Sequence, residues 1–362
     1  MKNGDKILVA TRKGLFEFTR RVAGDWASGP IDFIGDPVSM VLRDPRDGTT
    51  HAALNLGHFG VKMKRQRQGQ KTWEECAAPA YPEAPDVENA PSLEQIWELV
   101  PGGADEPGVL WAGTIPGGLF RSTDGGNSWE LNQALWDRPE RSKWFGGGYD
   151  KPGIHSVCVD PRNSRHITVG VSIGGAWQSV DGGASWALGG KGMNAGYVPS
   201  GNADDPNMQD VHRLVQCPAA ADTLWVQHHC GMYRSTDGIA SWQEITTARP
   251  SNFGFAVVVH PRDPNTAWFV PAIKDNCRIP VDGKFVVTRT RDGGSSFDIL
   301  NSGLPTGQSY DLVYRHGLAI DDSGERLVMG STTGGLWVSE NGGDAWHCIS
   351  VHLPPVYCVQ FV

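Results

Sequence analysis

The sequence predicts an all-β protein, a seven-bladed β-propeller forming a single domain over residues 1–362. Three observations predict it. One turn phrase recurs at a near-constant interval, strand signals recur ahead of each turn, and the two chain ends supply complementary parts of one blade.

The turn phrase reads "RSTDGGNSWE" at 121–130, "QSVDGGASWA" at 178–187, "YRSTDGIASWQEI" at 233–245, "TRDGGSSFD" at 290–298 and "SENGGDAWH" at 339–347. Its acidic position falls at Asp124, Asp181, Asp237, Asp292 and, as an amide, Asn341, at intervals of 57, 56, 55 and 49. The same period carried backwards meets two worn copies. One has Gln68 in the Asp place and Trp73 in the Trp place; the other has Arg21 and Trp26. Those copies bring the count to seven units.

Each unit opens with an innermost strand that closes on Asp-Pro or a relative of it: "SMVLRDP" at 39–45, "HSVCVDP" at 155–161, "HRLVQCP" at 212–218 and "FAVVVHP" at 255–261. A hairpin around paired glycines follows, as in "ITVGVSIGGAWQS", and a short fourth strand comes after each Trp. Alternating β-branched and aromatic residues bounded by Gly and Pro read as strands, and 46 Gly and 24 Pro supply the many turns this needs. The C-terminal "VYCVQFV" is an innermost strand with nothing after it. The N-terminal "KILVATRKGLFEFTR" is a hairpin with no innermost strand before it. Pairing them completes a seventh blade and removes the open edges of the ring.

The phrase Ser/Thr-x-Asp-x-Gly-x-x-x-Trp, at Ser122–Trp129, Ser179–Trp186 and Ser235–Trp242, resembles the Asp-box, or BNR repeat, of sialidase-like propellers. The likeness covers nearly the whole chain and implies the fold, with an active site on the face opposite the Asp-boxes. It does not choose among glycosidases, sorting receptors and assembly factors. The Asp residues themselves read as scaffold: a carboxylate accepting from the next backbone amides holds a turn, and Gly fills the angles that side chains forbid.

Aligning the innermost strands on their closing Pro places His155 and His212 at one repeat position, and Ile320-Asp321 brings His316 to the same place. The other blades offer Ser39, Gln95 and Phe255 there. Imidazole is the commonest protein ligand for transition metals. His155, His212 and His316 are therefore expected to hold a divalent transition metal (Zn, Mn or Fe) at the channel mouth. Tyr149-Asp150 precedes His155 at the spacing by which Tyr310-Asp311 precedes His316, and Asp210 lies two before His212. These five are the candidate catalytic or imidazole-orienting groups. Gln95 and the hairpin-turn residues Arg12, His58 and His229 are the candidate substrate contacts. Long entry loops at 77–94, 131–154, 188–211 and 300–315 are expected to wall a pocket over the channel.

The functional expectation is a metal-dependent lyase or hydrolase acting on a small polar, sugar-like molecule. One alternative is a metal-free sialidase-like glycosidase, for which "CRIPVDG" at 277–283 resembles the family's Arg-Ile-Pro signature. That stretch lies in the fifth unit rather than ahead of the first Asp-box, and Arg12, Arg213 and Arg315 do not occupy convincing positions for the family's three arginines. The other alternative is a non-catalytic binding or assembly module. The loops suit a subunit contact equally well, hence a homo-oligomer. A net charge of −8 with scattered basic residues, apart from "KMKRQR" at 62–67, argues against nucleic acid. Seven Cys without a CxxC pair, no apolar leader and no run of 18 apolar residues point away from a membrane, towards free thiols and a cytoplasmic protein.

Overall fold

The computed structural model describes residues 4–362 except 22–23, 84–89, 148 and 200. Among the described residues, seven four-stranded antiparallel sheets stand in a ring. Their innermost strands are Val38–Arg43, Gln95–Pro101, Gly153–Val159, Val211–Cys217, Phe253–Val259, Leu318–Ile320 and Val356–Phe361. We number blades one to seven in that order. Blade seven is the predicted closure: Val356–Phe361 pairs with Lys6–Thr11 (Val9 opposite Val359), and Gly14–Arg20 and Trp26–Asp32 follow outward.

The repeated turn makes the same bonds four times and part of them a fifth. Asp181 accepts through Oδ1 from Ser179 Oγ at 2.8 Å and from the Ser185 amide at 2.8 Å, and through Oδ2 from Ser185 Oγ at 2.6 Å. Asp124, Asp237 and Asp292 repeat this with Ser128, Ser241 and Ser296, and Asn341 keeps the Ser339 and Ala345 bonds. Gly182 and Gly183 have φ of 77° and 91° inside that turn, where a Cβ would be strained. The serine hydroxyls and backbone amides hold the Asp181 carboxyl down at about 2, so it is ionised and fully engaged. The following Trp binds the neighbouring blade: Trp129 Nε1 donates to Ala77 O and Trp186 Nε1 to Asn132 Oδ1, each at 2.9 Å. Between the blades, fully buried Trp111, Trp177, Trp225 and Trp268 fill the core.

Two details differ from the sequence reading. The innermost strands carry a β-bulge near their upper ends, between Val38 and Met40, Ile96 and Glu98, Ile154 and Ser156, and Val211 and Arg213. The bulge shows that Trp97, not Gln95, is the equivalent of Ser39, His155 and His212. Counting back from Pro101 slips by two because blade two's strand runs on to that proline. Blade six also differs, because its innermost strand begins only at Leu318. The three residues Tyr314–His316 therefore belong to the entry loop, tied by a Gly317 amide bond to Tyr314 O at 2.6 Å. All seven cysteines are free thiols. Among the described residues no helix is long and apolar enough to cross a membrane.

Candidate functional site

At the mouth of the central channel, on the face opposite the aspartate turns, lies a cavity of about 320 Å³. Hairpin turns and entry loops bring side chains from several blades to it. Arg12 comes from blade seven, Arg278 from the loop inside blade five, and Tyr314, Arg315 and His316 from the approach to blade six. Trp97, Tyr149, Phe255 and Tyr357 supply aromatic walls, and Ser39, Asn55 and Gln95 supply neutral polar groups. No Asp or Glu is among the described lining residues.

Arg315 is the centre of this arrangement. It is 6 % exposed, and its Nε and one terminal nitrogen have no hydrogen-bond partner. Its guanidinium lies over Trp97 at 4.5 Å and over Phe255 at 5.6 Å. Cation–π contact offsets about 0.5–2 kcal/mol of the burial cost and leaves the donors unsatisfied. Burial lowers its pKa to about 10, still charged at neutral pH. Arg278 is anchored instead, donating to Asp275 Oδ1 at 2.6 Å while lying 5.2 Å from the Phe255 ring. Arg12 is exposed at the rim. The pocket therefore offers three guanidiniums between aromatic faces, one of them buried with donors left without partners.

Below the mouth sits a second charged group, and it is closed. Glu98 accepts from Arg213 and lies 3.3 Å from His316 Nε2; that nitrogen is also 2.7 Å from Arg213 and 3.0 Å from His155 O. Burial raises the Glu98 pKa, but Arg213 and His316 outweigh it and hold the carboxyl at about 2. Glu98 and Arg213 each follow the bulge of their strand, so the bulge fixes both into the channel.

The three predicted metal histidines do not converge. His155 is fully buried, with Nε2 on Val211 O at 2.6 Å and Nδ1 on Ser156 Oγ at 2.9 Å, so both ring nitrogens are occupied. His212 directs Nδ1 to Gly254 O at 2.6 Å. Ser39 Oγ reaches Ile96 O at 3.2 Å in the same manner. The repeat position is thus a clasp onto the carbonyl of the next blade: the bulge turns the side chain sideways, away from the axis. His316 reaches the channel, through the ion pair just described. Burial lowers the pKa of His155, His212 and His316.

A different trio does come together. Asp210 Oδ2 lies 3.4 Å from His212 Nε2 and 3.2 Å from His229 Nδ1, and Asp210 Oδ1 accepts from Ser172 Oγ at 3.1 Å. Gly147 passes so close that a Cβ there would stand 2.5 Å from Ser172 Oγ and 3.0 Å from Asp210 Oδ1. Burial raises the Asp210 pKa, yet His212, His229 and Arg315 together hold it well below the carboxylate range. The Asp210 hydrogen bond raises the pKa of His229.

The remaining predicted residues divide. Arg12, Gln95 and Tyr149 line the cavity, Tyr149 packing edge-on against Trp97 at 5.0 Å. Tyr310 is 65 % exposed and Asp150 is exposed, neither at the cavity. Asp311 accepts from Ser309 Oγ at 2.6 Å and Ser331 Oγ at 2.7 Å, a turn clamp inside blade six. His58 is exposed against Phe59, away from the cavity. Of the long loops, 131–154 and 300–315 reach the cavity and 188–211 delivers Asp210 beside it; residues 84–89 of the loop 77–94 lie outside the described set. Arg278, Trp97, Tyr314 and Tyr357 were not singled out in the sequence, although Arg278 is the arginine of the "CRIP" stretch.

No protein-family model matches the chain, and no curated protein matches it. Solved structures show the same fold. The GH74 xyloglucanase from Xanthomonas campestris superposes with a TM-score of 0.65 at 18 % identity, over 96 % of this chain and 53 % of that one. An ancestral GH74 enzyme gives 0.59 at 17 %, over 86 % of this chain and 38 % of that one. YCF48 from Cyanidioschyzon merolae gives 0.54 at 14 %, over 86 % and 84 %. This chain thus spans about half the length or less of the two GH74 enzymes. Identities this low show the fold alone: a seven-bladed propeller, shared by glycoside hydrolases and by YCF48 proteins.

Proposed function

We propose that this propeller binds a small carboxylate-bearing, sugar-like molecule at the channel mouth, with Arg315 as the primary anion contact. The observation that carries the reading is the unpaired, buried guanidinium of Arg315. A buried charge left without partners costs free energy that a bidentate carboxylate restores. Arg278 and Arg12 add charge from neighbouring blades, while Trp97, Phe255 and Tyr149 present flat apolar faces of the kind that pack on a sugar ring. Three arginines around one cavity also support the sialidase-like resemblance, with Arg12, Arg278 and Arg315 as the set rather than Arg12, Arg213 and Arg315.

Cleavage of the ligand by a hydrolase or lyase route is the second reading, favoured by the Asp210–His212–His229 group behind Phe255. Glycosidase chemistry by a pair of carboxylates finds no support in the cavity, whose described lining holds neither Asp nor Glu.

Calorimetric titration of N-acetylneuraminate and glucuronate against neutral xyloglucan oligosaccharide tests the binding reading. The acids should bind, and Arg315→Ala should weaken them by about 10–100-fold, the worth of a charge-assisted bidentate contact. Tighter binding of the neutral sugar, unchanged in Arg315→Ala, would exclude it.

A further inference from the structure

His212 holds a hydrogen-bonding conflict. Gly254 O has only lone pairs, so His212 Nδ1, at 2.6 Å, must carry the ring's proton. In the neutral ring Nε2 then presents a lone pair, and it faces Asp210 Oδ2 at 3.4 Å. Two acceptors confront each other where His212 is 2 % and Asp210 3 % exposed. His229 Nδ1 approaches the same carboxylate oxygen at 3.2 Å, and the three ligand atoms lie within 4.8 Å of one another.

The geometry points to a site for a first-row divalent cation, zinc in the first instance, bound by His212 Nε2, Asp210 Oδ2 and His229 Nδ1. A cation at the centre of those atoms turns the facing lone pairs into bonds. The two carboxylate–imidazole spacings, 3.4 and 3.2 Å, fit: Zn–N and Zn–O bonds of about 2.0–2.1 Å in a tetrahedron separate neighbouring ligand atoms by about 3.3–3.4 Å. The outer partners fit too. Metal-bound imidazoles commonly donate their other N–H to a backbone carbonyl, as His212 does to Gly254, and a ligating carboxylate is itself hydrogen-bonded, as Asp210 is by Ser172. The His229 amide donates to Asp210 O at 2.9 Å, which locks the hairpin turn to the carboxylate's own residue. Phe255 stacks on His212 at 4.4 Å and Phe253 stands edge-on to both rings, an apolar collar that fixes their planes. His229 is 22 % exposed, which gives an ion a route in and leaves a fourth position for water.

This site differs from the three-histidine set read from the sequence, sharing only His212, and it stands independently of the carboxylate-binding proposal. Its rival is a proton on His212 Nε2, which would bridge to Asp210 without any metal.

The test uses the full chain, stripped with a chelator and then titrated with Zn(II) and Co(II) in the absence of any organic anion. Saturable binding of one ion per chain is expected, with a Co(II) visible spectrum of low-symmetry nitrogen–oxygen coordination. Asp210→Asn and His229→Ala should remove it, Ser172→Ala should weaken it by about 10–100-fold, and His58→Ala on another hairpin should leave it unchanged. Histidine proton resonances of the unmutated protein give a readout free of folding effects: Zn(II) should move those of His212 and His229 and leave His155 in place. No saturable binding, binding that survives His229→Ala, or His212 and His229 resonances that move with pH but not with Zn(II) would overturn the site and leave the proton bridge. None of these results bears on N-acetylneuraminate binding by Arg315.

Discussion

Arg213 and Arg315 lie in the same channel, one below the other, and their environments are opposite. Arg213 is matched by Glu98 and by the His155 carbonyl, and that charge group is complete within the protein. Arg315 has two aromatic faces and unsatisfied donors. Arg213 sits inside the innermost strand of blade four, just after its bulge, and Arg315 in the loop leading into blade six, but residue type alone does not separate them. The difference is a carboxylate contributed by another blade. A buried charge that the fold itself completes belongs to the scaffold. One that the fold leaves incomplete marks where something else binds.

The largest expected effect breaks the completed side of that comparison. Glu98→Ala strands Arg213 and His316 in the channel and should cost about 3–5 kcal/mol in urea unfolding. A loss below about 1 kcal/mol would mean that water replaces the carboxylate.

The pH dependence sharpens the same point. The folded Glu98 pKa, about 2, lies below its ordinary 4.5. Its contribution is thus complete above pH 4.5 and disappears as pH falls towards 2. Glu98→Gln should flatten the acid limb of a stability-against-pH curve; an unaltered limb would show that the pair is already broken in solution.

On the incomplete side the sign reverses. Arg315→Met removes an unpaired buried charge while keeping an apolar stem between Trp97 and Phe255. The thermal midpoint should stay level or rise, by the equivalent of about 1 kcal/mol or more, while carboxylate binding is lost. A fall in midpoint would show that the cation–π contacts outweigh desolvation.

The smallest effect belongs to the aspartate turns. Asp181→Ala should lower the thermal midpoint by a small, measurable amount, as for other side chains that satisfy turn and cap amides. Asp181→Asn should cost far less, because Asn341 makes the equivalent Oδ1 bonds to Ser339 and Ala345 at 2.9 Å each. Equal losses in both variants would show that the negative charge, rather than the acceptor geometry, holds the turn.

Much of this architecture was legible because it is local. The phrase from Ser179 to Trp186 contains its own donors, acceptor and left-handed glycines, and its period counted the blades before any contact was known. The N- and C-terminal halves of blade seven were readable for the same reason, since each lacks what the other has. The site was legible only in part. His155 and His212 share a position in the sequence, but a bulge of one residue turns both rings onto neighbouring carbonyls. Gln95 was matched to them through a proline two residues out of step, which concealed Trp97. Arg278 is visible in "CRIP", but that stretch lies in the fifth unit rather than ahead of the first Asp-box, and its place along the chain gives no hint that it meets Arg12 and Arg315 at one cavity.

By itself, then, the sequence determined the ring: strand alternation, turn chemistry and repeat length act over fewer than about 60 residues, within reach of a reading along the chain. Tertiary structure alone decided that Arg315 has no hydrogen-bonded carboxylate while Arg213 has one, and that Asp210 stands between His212 and His229. Those outcomes depend on which side chains from separate blades meet across the axis, within a few ångströms. Hydrogen-bond and Coulomb energies change steeply over that distance, and spacing along the chain does not encode it.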